Sequence, residues 1–177
     1  RRIYDNLRKA MSFIFAVHIP IAGLALLPLL FGLPILFGPI HIAFLEMVID
    51  PVCSLVFEAE TEEDDVMRRP PRPPGEPLFT RALIVWSLLQ GTLAFALVAA
   101  VYLLALQSGM PVPEVRALTF FSLVVVIVSL ILVYVVNRQS FHWTMDVHVP
   151  WLMLAVLSGV LVAAAALTSV ASGRQAM

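Results

Sequence analysis

The residues Phe-Leu-Glu-Met-Val-Ile-Asp-Pro-Val-Cys, numbers 44–53, decide how the chain is organised. They lie in an apolar run, about 39–57, that is long enough to cross a bilayer as a helix. Glu46 and Asp50 are four residues apart, so a helix presents both carboxylates on one face. Because Pro51 has no N–H, the carbonyl four residues before it loses its helical partner. Intramembrane carboxylates usually mark a site, and these oxygens suit a cation. The alternative is a polar pair that holds helices together.

The composition predicts an integral membrane protein. Of the 177 residues, 60% are hydrophobic and 13% are charged, whereas soluble domains are about a quarter charged. The apolar residues form long blocks, so we expect an all-α, polytopic transmembrane helix bundle of about five spans. A net charge of −1 argues against a nucleic-acid partner. The single cysteine excludes an internal disulfide. The sequence starts at Arg1 without an initiator methionine or a signal peptide, and we expect a fragment of a larger protein.

Charge and hydropathy divide the chain into five parts. The basic residues 1–9 predict a helical stalk in the cytoplasm, because cations flank the cytoplasmic side of a membrane helix. Residues 10–57 predict a transmembrane hairpin that carries the ion site. Residues 58–81 predict a cytoplasmic loop that is first acidic and then rich in arginine and proline. Residues 82–171 predict three further transmembrane helices, and 172–177 form a tail. The expected spans are 10–31, 39–57, 82–107, 116–137 and 149–171.

One histidine joins the two carboxylates in the candidate site. His18 lies in the first span, two residues before Pro20, which should kink the helix. An intramembrane histidine can be a ligand, a proton carrier or a hydrogen-bonding group between helices. At about 1.5 Å per residue, a hairpin places His18 at a depth comparable with that of Glu46 and Asp50. We therefore predict that Glu46, Asp50 and His18 form a cation site.

Motifs for enzymatic chemistry are absent from the sequence. It contains neither the Gly-x-x-x-x-Gly-Lys-Ser/Thr phosphate loop nor Gly-x-Gly-x-x-Gly, and no plausible Ser-His-Asp or Cys-His set. We expect no catalytic residue and no cofactor-binding residue in this chain. From the residues alone, a non-catalytic membrane scaffold or interaction protein stays open. A secondary transporter would require inverted repeats, which the sequence does not show.

Two motifs resemble one family. Residues 2–9, Arg-Ile-Tyr-Asp-Asn-Leu-Arg-Lys, resemble the basic start of the fifth transmembrane helix of P-type cation-transporting ATPases. Residues 65–72, Asp-Val-Met-Arg-Arg-Pro-Pro-Arg, with Glu-Pro-Leu at 76–78, resemble the loop after the sixth transmembrane helix of the calcium-type branch. The acidic turn at 46–50 falls where those pumps carry ion-binding residues. The resemblance covers nearly the whole chain, and its motifs are strong over about 2–81.

The resemblance implies the transmembrane part of an ATP-driven cation pump, with spans similar to helices five to nine. The chain would supply part of the intramembrane ion site and the loop that couples it to the phosphorylation domain. It would not be an enzyme alone: it would bind the transported cation, whereas ATP and magnesium would bind to domains outside this sequence. Its partners would be the lipid bilayer and the remaining helices and cytoplasmic domains of the same pump. We expect a bacterial plasma membrane protein whose chain starts in the cytoplasm. The implied coupling residues are Asp65, Arg68, Arg69 and Arg72.

The sequence departs from the calcium-pump pattern at the ion site. In the register that the resemblance implies, His18 stands where calcium pumps commonly carry asparagine, and Ile21 where they carry glutamate. Glu46 replaces an asparagine and Ile49 a threonine, whereas Asp50 is retained. One of two calcium sites should therefore be lost or rebuilt. The transported ion stays open among a divalent metal, a monovalent ion and a proton.

Overall fold

Four long helices make up the described part of the chain in this computed structural model. The structure describes residues 2–59, 67, 68, 70, 75 and 77–136, with the backbone alone for 48, 50, 52–54 and 133–136. The helices are α1 (Arg2–Phe31), α2 (Pro39–Ala59), α3 (Arg81–Gln107) and α4 (Val112–Val136).

Three of the four described helices have the length and composition of membrane spans. In the described residues, α1, α3 and the Val112–Leu132 part of α4 are each long and apolar enough to cross a bilayer. The predicted all-α membrane fold is therefore confirmed. The predicted fifth span, 149–171, and the tail lie outside the described residues.

Helix α1 continues without a break from the predicted stalk into the predicted span. Its 30 residues include Pro20 and Pro28, both of which are buried. At about 1.5 Å per residue the helix is about 45 Å long, and the hydrocarbon core of a bilayer is about 30 Å thick. Helix α1 is therefore longer than the apolar layer is thick, and the cytoplasmic stalk over residues 1–9 stays a prediction.

Helix α4 begins four residues earlier than the sequence predicted. It starts at Val112 instead of 116, and Glu114 lies in its first turn. Pro113 lies at the second position of the helix, where a missing N–H removes no intrahelical hydrogen bond. The glutamate faces the positive end of the helix dipole. The charge and the prolines, which suggested a loop, are thus compatible with a helix start.

Side chains from α3 and α4 hold the turn between α1 and α2. Residues 33–38 are non-helical, so their carbonyls need partners from elsewhere. The Tyr102 hydroxyl donates to the carbonyl of Pro34 at 2.6 Å, and Nε of Arg116 donates to that of Ile35 at 2.7 Å. Arg116 departs from the positive-inside rule for a residue at the outer end of α4, and this hydrogen bond gives it a structural role.

Helices α1 and α3 pack closely because each places a glycine against the other. A Cβ on Gly23 would lie 2.5 Å from the ring of Phe95. A Cβ on Gly91 would lie 2.5 Å from Cδ1 of Ile19 and 2.6 Å from the carbonyl oxygen of Ala16. The Ala16 carbonyl is the one that Pro20 deprives of its helical partner. Small residues allow such close contact between membrane helices.

A buried hydrogen bond joins the same two helices one turn nearer the stalk. The Oγ atoms of Ser12 and Ser87 are 2.7 Å apart, and Ser87 Oγ also donates to the carbonyl of Leu83 at 2.8 Å. Each serine has one hydroxyl proton, so either Oγ can donate to the other. Both hydroxyls are fully buried, where hydrogen bonding offsets their desolvation.

We predict that Gly91→Ala destabilises the whole protein that carries this sequence. The new methyl group would clash with Ile19 and with the Ala16 carbonyl, and such overpacking costs about 1–3 kcal/mol. Thermal unfolding in detergent should show a lower midpoint. Gly75→Ala is the matched control, because a Cβ there meets nothing within 4 Å. Equal midpoints for the two variants would contradict the α1–α3 packing.

Candidate functional site

His18 is oriented by the backbone of its own helix. Its Nδ1 lies 2.7 Å from the carbonyl oxygen of Ile14, one turn earlier in α1. A carbonyl only accepts hydrogen bonds, so Nδ1 carries the proton and donates it. The second ring nitrogen, Nε2, is then the atom that the imidazole offers to other groups.

Glu46 on α2 lies opposite that nitrogen. Its Oε2 atom is 3.4 Å from Nε2 of His18. The short turn between α1 and α2 makes the helices antiparallel neighbours, and the two residues meet between them. The structure therefore brings together two of the three predicted site residues. Their role as cation ligands stays a prediction.

The contact between His18 and Glu46 favours a positive charge between them. With Nδ1 protonated, a neutral imidazole has its lone pair on Nε2, and an ionised carboxylate carries lone pairs as well. Two facing lone pairs repel each other, whereas a proton or a metal ion between them is attracted by both. The pair is therefore suited to hold either a proton or a cation.

The His18–Glu46 pair lies at the edge of the described helices. The side chains are 46% and 35% exposed in this part of the chain. On α2, Leu45 and Ile49 are buried, whereas Met47 is exposed, so Glu46 lies at the border of the buried face. Ionisable groups within a membrane normally face other helices or a cavity, and this face is therefore suited to contact further protein.

The remaining predicted residues are only partly described. Asp50 lies one turn after Glu46, and the backbone is helical there and through Pro51; its side chain is outside the description. Arg68 is exposed in a turn, whereas Asp65, Arg69 and Arg72 lie outside the described residues. Among the described side chains, no group of three or more His, Cys, Asp or Glu could hold a metal ion. The described part of the site is thus the pair.

The structure adds contacts that sequence reasoning missed. The Tyr4 hydroxyl donates to the carbonyl of Pro77 at 3.4 Å, and Nη2 of Arg2 donates to that of Glu58 at 3.5 Å. The rings of Phe15 and Phe79 meet edge to face, with centroids 5.9 Å apart. The stalk therefore contacts both ends of the loop between α2 and α3. The partners are 56 to 73 residues apart, so no local pattern signals them.

The fold and the pair define a polytopic membrane protein in which ionisable groups on the two helices of a hairpin contact each other. Residues 34–176 match the model of the family described as Cation transporting ATPase, C-terminus. The chain belongs to this family, and it is the C-terminal transmembrane region of a P-type ATPase.

Curated relatives include pumps named for different ions. The chain is 34% identical over 83 residues to the Calcium-transporting ATPase of Bacillus subtilis (strain 168), a match that covers 47% of this chain and 9% of that protein. It is 35% identical over 74 residues to the Sodium/potassium-transporting ATPase subunit alpha of Hydra vulgaris, with 42% and 7% covered. It is 28% identical over 116 residues to the Probable cation-transporting ATPase F of Mycobacterium tuberculosis (strain ATCC 25618 / H37Rv), with 66% and 13% covered.

The chain corresponds to a small part of each relative. The chain spans between 7% and 13% of the length of these three relatives. Their names include calcium and sodium/potassium, so they do not single out one ion for this chain.

We predict that cysteines at positions 18 and 46 can be crosslinked. In the whole protein, made free of other cysteines, His18→Cys with Glu46→Cys should react with a short bifunctional thiol reagent, because the native side chains are 3.4 Å apart. Mass spectrometry of the linked peptides would detect the product. The control pair is His18→Cys with His41→Cys, because residue 41 lies about 7.5 Å from residue 46 along the axis of α2. A yield no higher than that of the control would contradict the contact.

Proposed function

We propose that the chain is the transmembrane part of an ATP-driven P-type cation pump and that His18 and Glu46, together with Asp50, form part of its intramembrane cation site. The observation that carries the proposal is the contact of His18 Nε2 with Glu46 Oε2 across the α1–α2 hairpin. Family membership supports the pump over a membrane scaffold, because relatives of this region are named as transporting ATPases.

The site has the physical properties that cation transport requires. An imidazole and a carboxylate within a membrane segment are costly to bury unless a positive charge lies between them. Such groups attract a cation and also release it when the helices that carry them move apart. Asp50, one turn after Glu46 on α2, would add a second carboxylate on the same side of the helix.

The contacts of the stalk support a route from ATP to the site. Tyr4 and Arg2 lie at the start of α1, the helix that also carries His18, and they contact the two ends of the loop between α2 and α3. We assign coupling to Asp65, Arg68, Arg69 and Arg72, with the phosphorylation domain as their partner.

ATP and magnesium are used by domains outside this sequence. The start of the chain faces the cytoplasm, and the membrane is a bacterial plasma membrane.

We predict that Glu46→Gln in the whole protein abolishes cation-stimulated ATP hydrolysis. The amide keeps the size of the side chain but removes the charge that attracts the cation. Phosphorylation by inorganic phosphate, which needs no transported ion in this proposal, should survive. Asp50→Asn should behave in the same way.

Glu114→Gln is the matched control for the charge removal. Glu114 is exposed in the first turn of α4, away from the site, so its variant should keep the stimulation. Full cation stimulation in Glu46→Gln membranes would contradict the site.

We predict that the triple variant Arg68→Ala, Arg69→Ala, Arg72→Ala separates cation binding from phosphorylation. Cation-stimulated phosphorylation by ATP should fall by about fivefold or more, the usual range of coupling between sites. Cation affinity should change little, because these arginines are outside the membrane segments. Filter assays of phosphoenzyme and of bound cation would measure the two effects. Arg81→Ala, at the first residue of α3, is the control. Normal phosphoenzyme levels in the triple variant would contradict a coupling role and would show that the loop is only a linker.

A further inference from the structure

We propose that the cation held between α1 and α2 is a divalent transition metal ion, bound through Nε2 of His18 and the carboxylate of Glu46. The inference rests on the proposed function, because it names the class of cation that the same site takes. Two contacts of the His18 ring support the inference. Nδ1 lies 2.7 Å from the Ile14 carbonyl oxygen, and Nε2 lies 3.4 Å from Glu46 Oε2.

The orientation of the His18 ring is that of a metal ligand. Histidines that bind metals in proteins almost always donate their other ring N–H to a carbonyl or a carboxylate, which fixes the tautomer and raises the basicity of the ligating nitrogen. The Ile14 carbonyl makes this contact with Nδ1. The backbone of α1 therefore directs the lone pair of a neutral His18 to Nε2, the atom that faces Glu46.

The spacing of the two ligand atoms fits a single small ion. Ligands at about 2.0–2.2 Å from a metal ion lie about 3.4 Å apart at a tetrahedral angle and about 3.0 Å apart at an octahedral one. The separation of Nε2 and Oε2 is 3.4 Å. One ion can therefore contact both atoms without a shift of either helix.

The chemistry of the pair favours a transition metal over calcium. Calcium takes about 6–8 oxygen ligands, whereas imidazole suits zinc, copper, iron and nickel. Carboxylate suits calcium, magnesium and manganese alike, so the imidazole nitrogen is the group that distinguishes these ions. Two further positions on the same helices supply no oxygen, because Ile21 on α1 and Ile49 on α2 are buried apolar side chains. A site that includes an imidazole nitrogen is matched to ions such as Mn²⁺ and Zn²⁺ better than to calcium.

The first test ranks ions in the unaltered whole protein. ATP hydrolysis by membranes is measured at constant Mg-ATP against buffered free Mn²⁺, Zn²⁺, Co²⁺ and Ca²⁺. We expect at least one transition ion to give half-maximal stimulation at a free concentration about tenfold or more below that of Ca²⁺. Calcium acting at an equal or lower concentration would overturn the inference.

The second test removes the nitrogen ligand. His18→Asn should raise the half-activating concentration of the transition ion by about tenfold or more, since the loss of a mere outer-shell partner of a ligand already costs that much. The concentration for Ca²⁺ should stay unchanged or fall, because the amide offers an oxygen. His41→Asn, at the other end of α2, should change neither value. Equal shifts for all ions in His18→Asn would refute nitrogen ligation.

A third test reads metal binding without turnover. The purified protein loaded with Co²⁺ should show d–d absorption bands in the visible range. These bands should be much weaker in the His18→Asn variant. Identical spectra would count against the inference.

The outcomes also separate this inference from the proposed function. Stimulation by Ca²⁺ or a monovalent ion alone, lost in Glu46→Gln, overturns the transition-metal assignment and leaves the cation pump in place. Stimulation by no cation overturns both.

Discussion

The close packing of α1 on α3 is the constraint on which the candidate site depends. Gly91 lets the Ala16 turn of α1 approach α3, and Gly23 admits the ring of Phe95. At about 100° per residue, His18 lies about 200° round the helix from Ala16. The face that α3 holds therefore fixes the opposite face, and the imidazole meets α2. A membrane offers no water to satisfy a misdirected polar group, so the rotation of α1 matters more here than in a soluble helix.

Much of the fold follows from the sequence because the bilayer sets the length of its helices. Apolar runs of about 20 residues predict spans, and the first two helices begin or end at the predicted residues, Phe31 and Pro39. The predicted start of α4 was wrong by four residues, because Pro113 and Glu114 are compatible both with a loop and with the first turn of a helix. Composition alone does not separate those two cases.

The site was predictable in part for a related reason. A hairpin brings its two helices side by side, so residues in the middle of both helices come to comparable depths. Counting places His18 and Glu46 within about two helical turns of each other in depth, and the structure supplies the direct contact. Which way the ring points does not follow, because it depends on the hydrogen bond to Ile14. The hydrogen-bond partners of Tyr4, Tyr102 and Arg116 could not be predicted from the sequence either. Each of these side chains bonds a backbone carbonyl far away in sequence, and a carbonyl has no residue-specific signal.

The position of Pro20 connects the stalk contacts to the site. Proline removes the hydrogen bond between residues 16 and 20, so the turn that contains His18 is a place where α1 can bend. The freed carbonyl of Ala16 is packed against Gly91, which holds this turn on the α3 side and leaves the α2 side to the His18–Glu46 contact. A tilt of the stalk, which Tyr4 ties to Pro77, would bend α1 at this turn. Such a bend would change the separation of His18 Nε2 and Glu46 Oε2, and the cation site that we propose uses both atoms. In the cation site that we propose, a hinge within this turn would let movement outside the membrane control binding inside it.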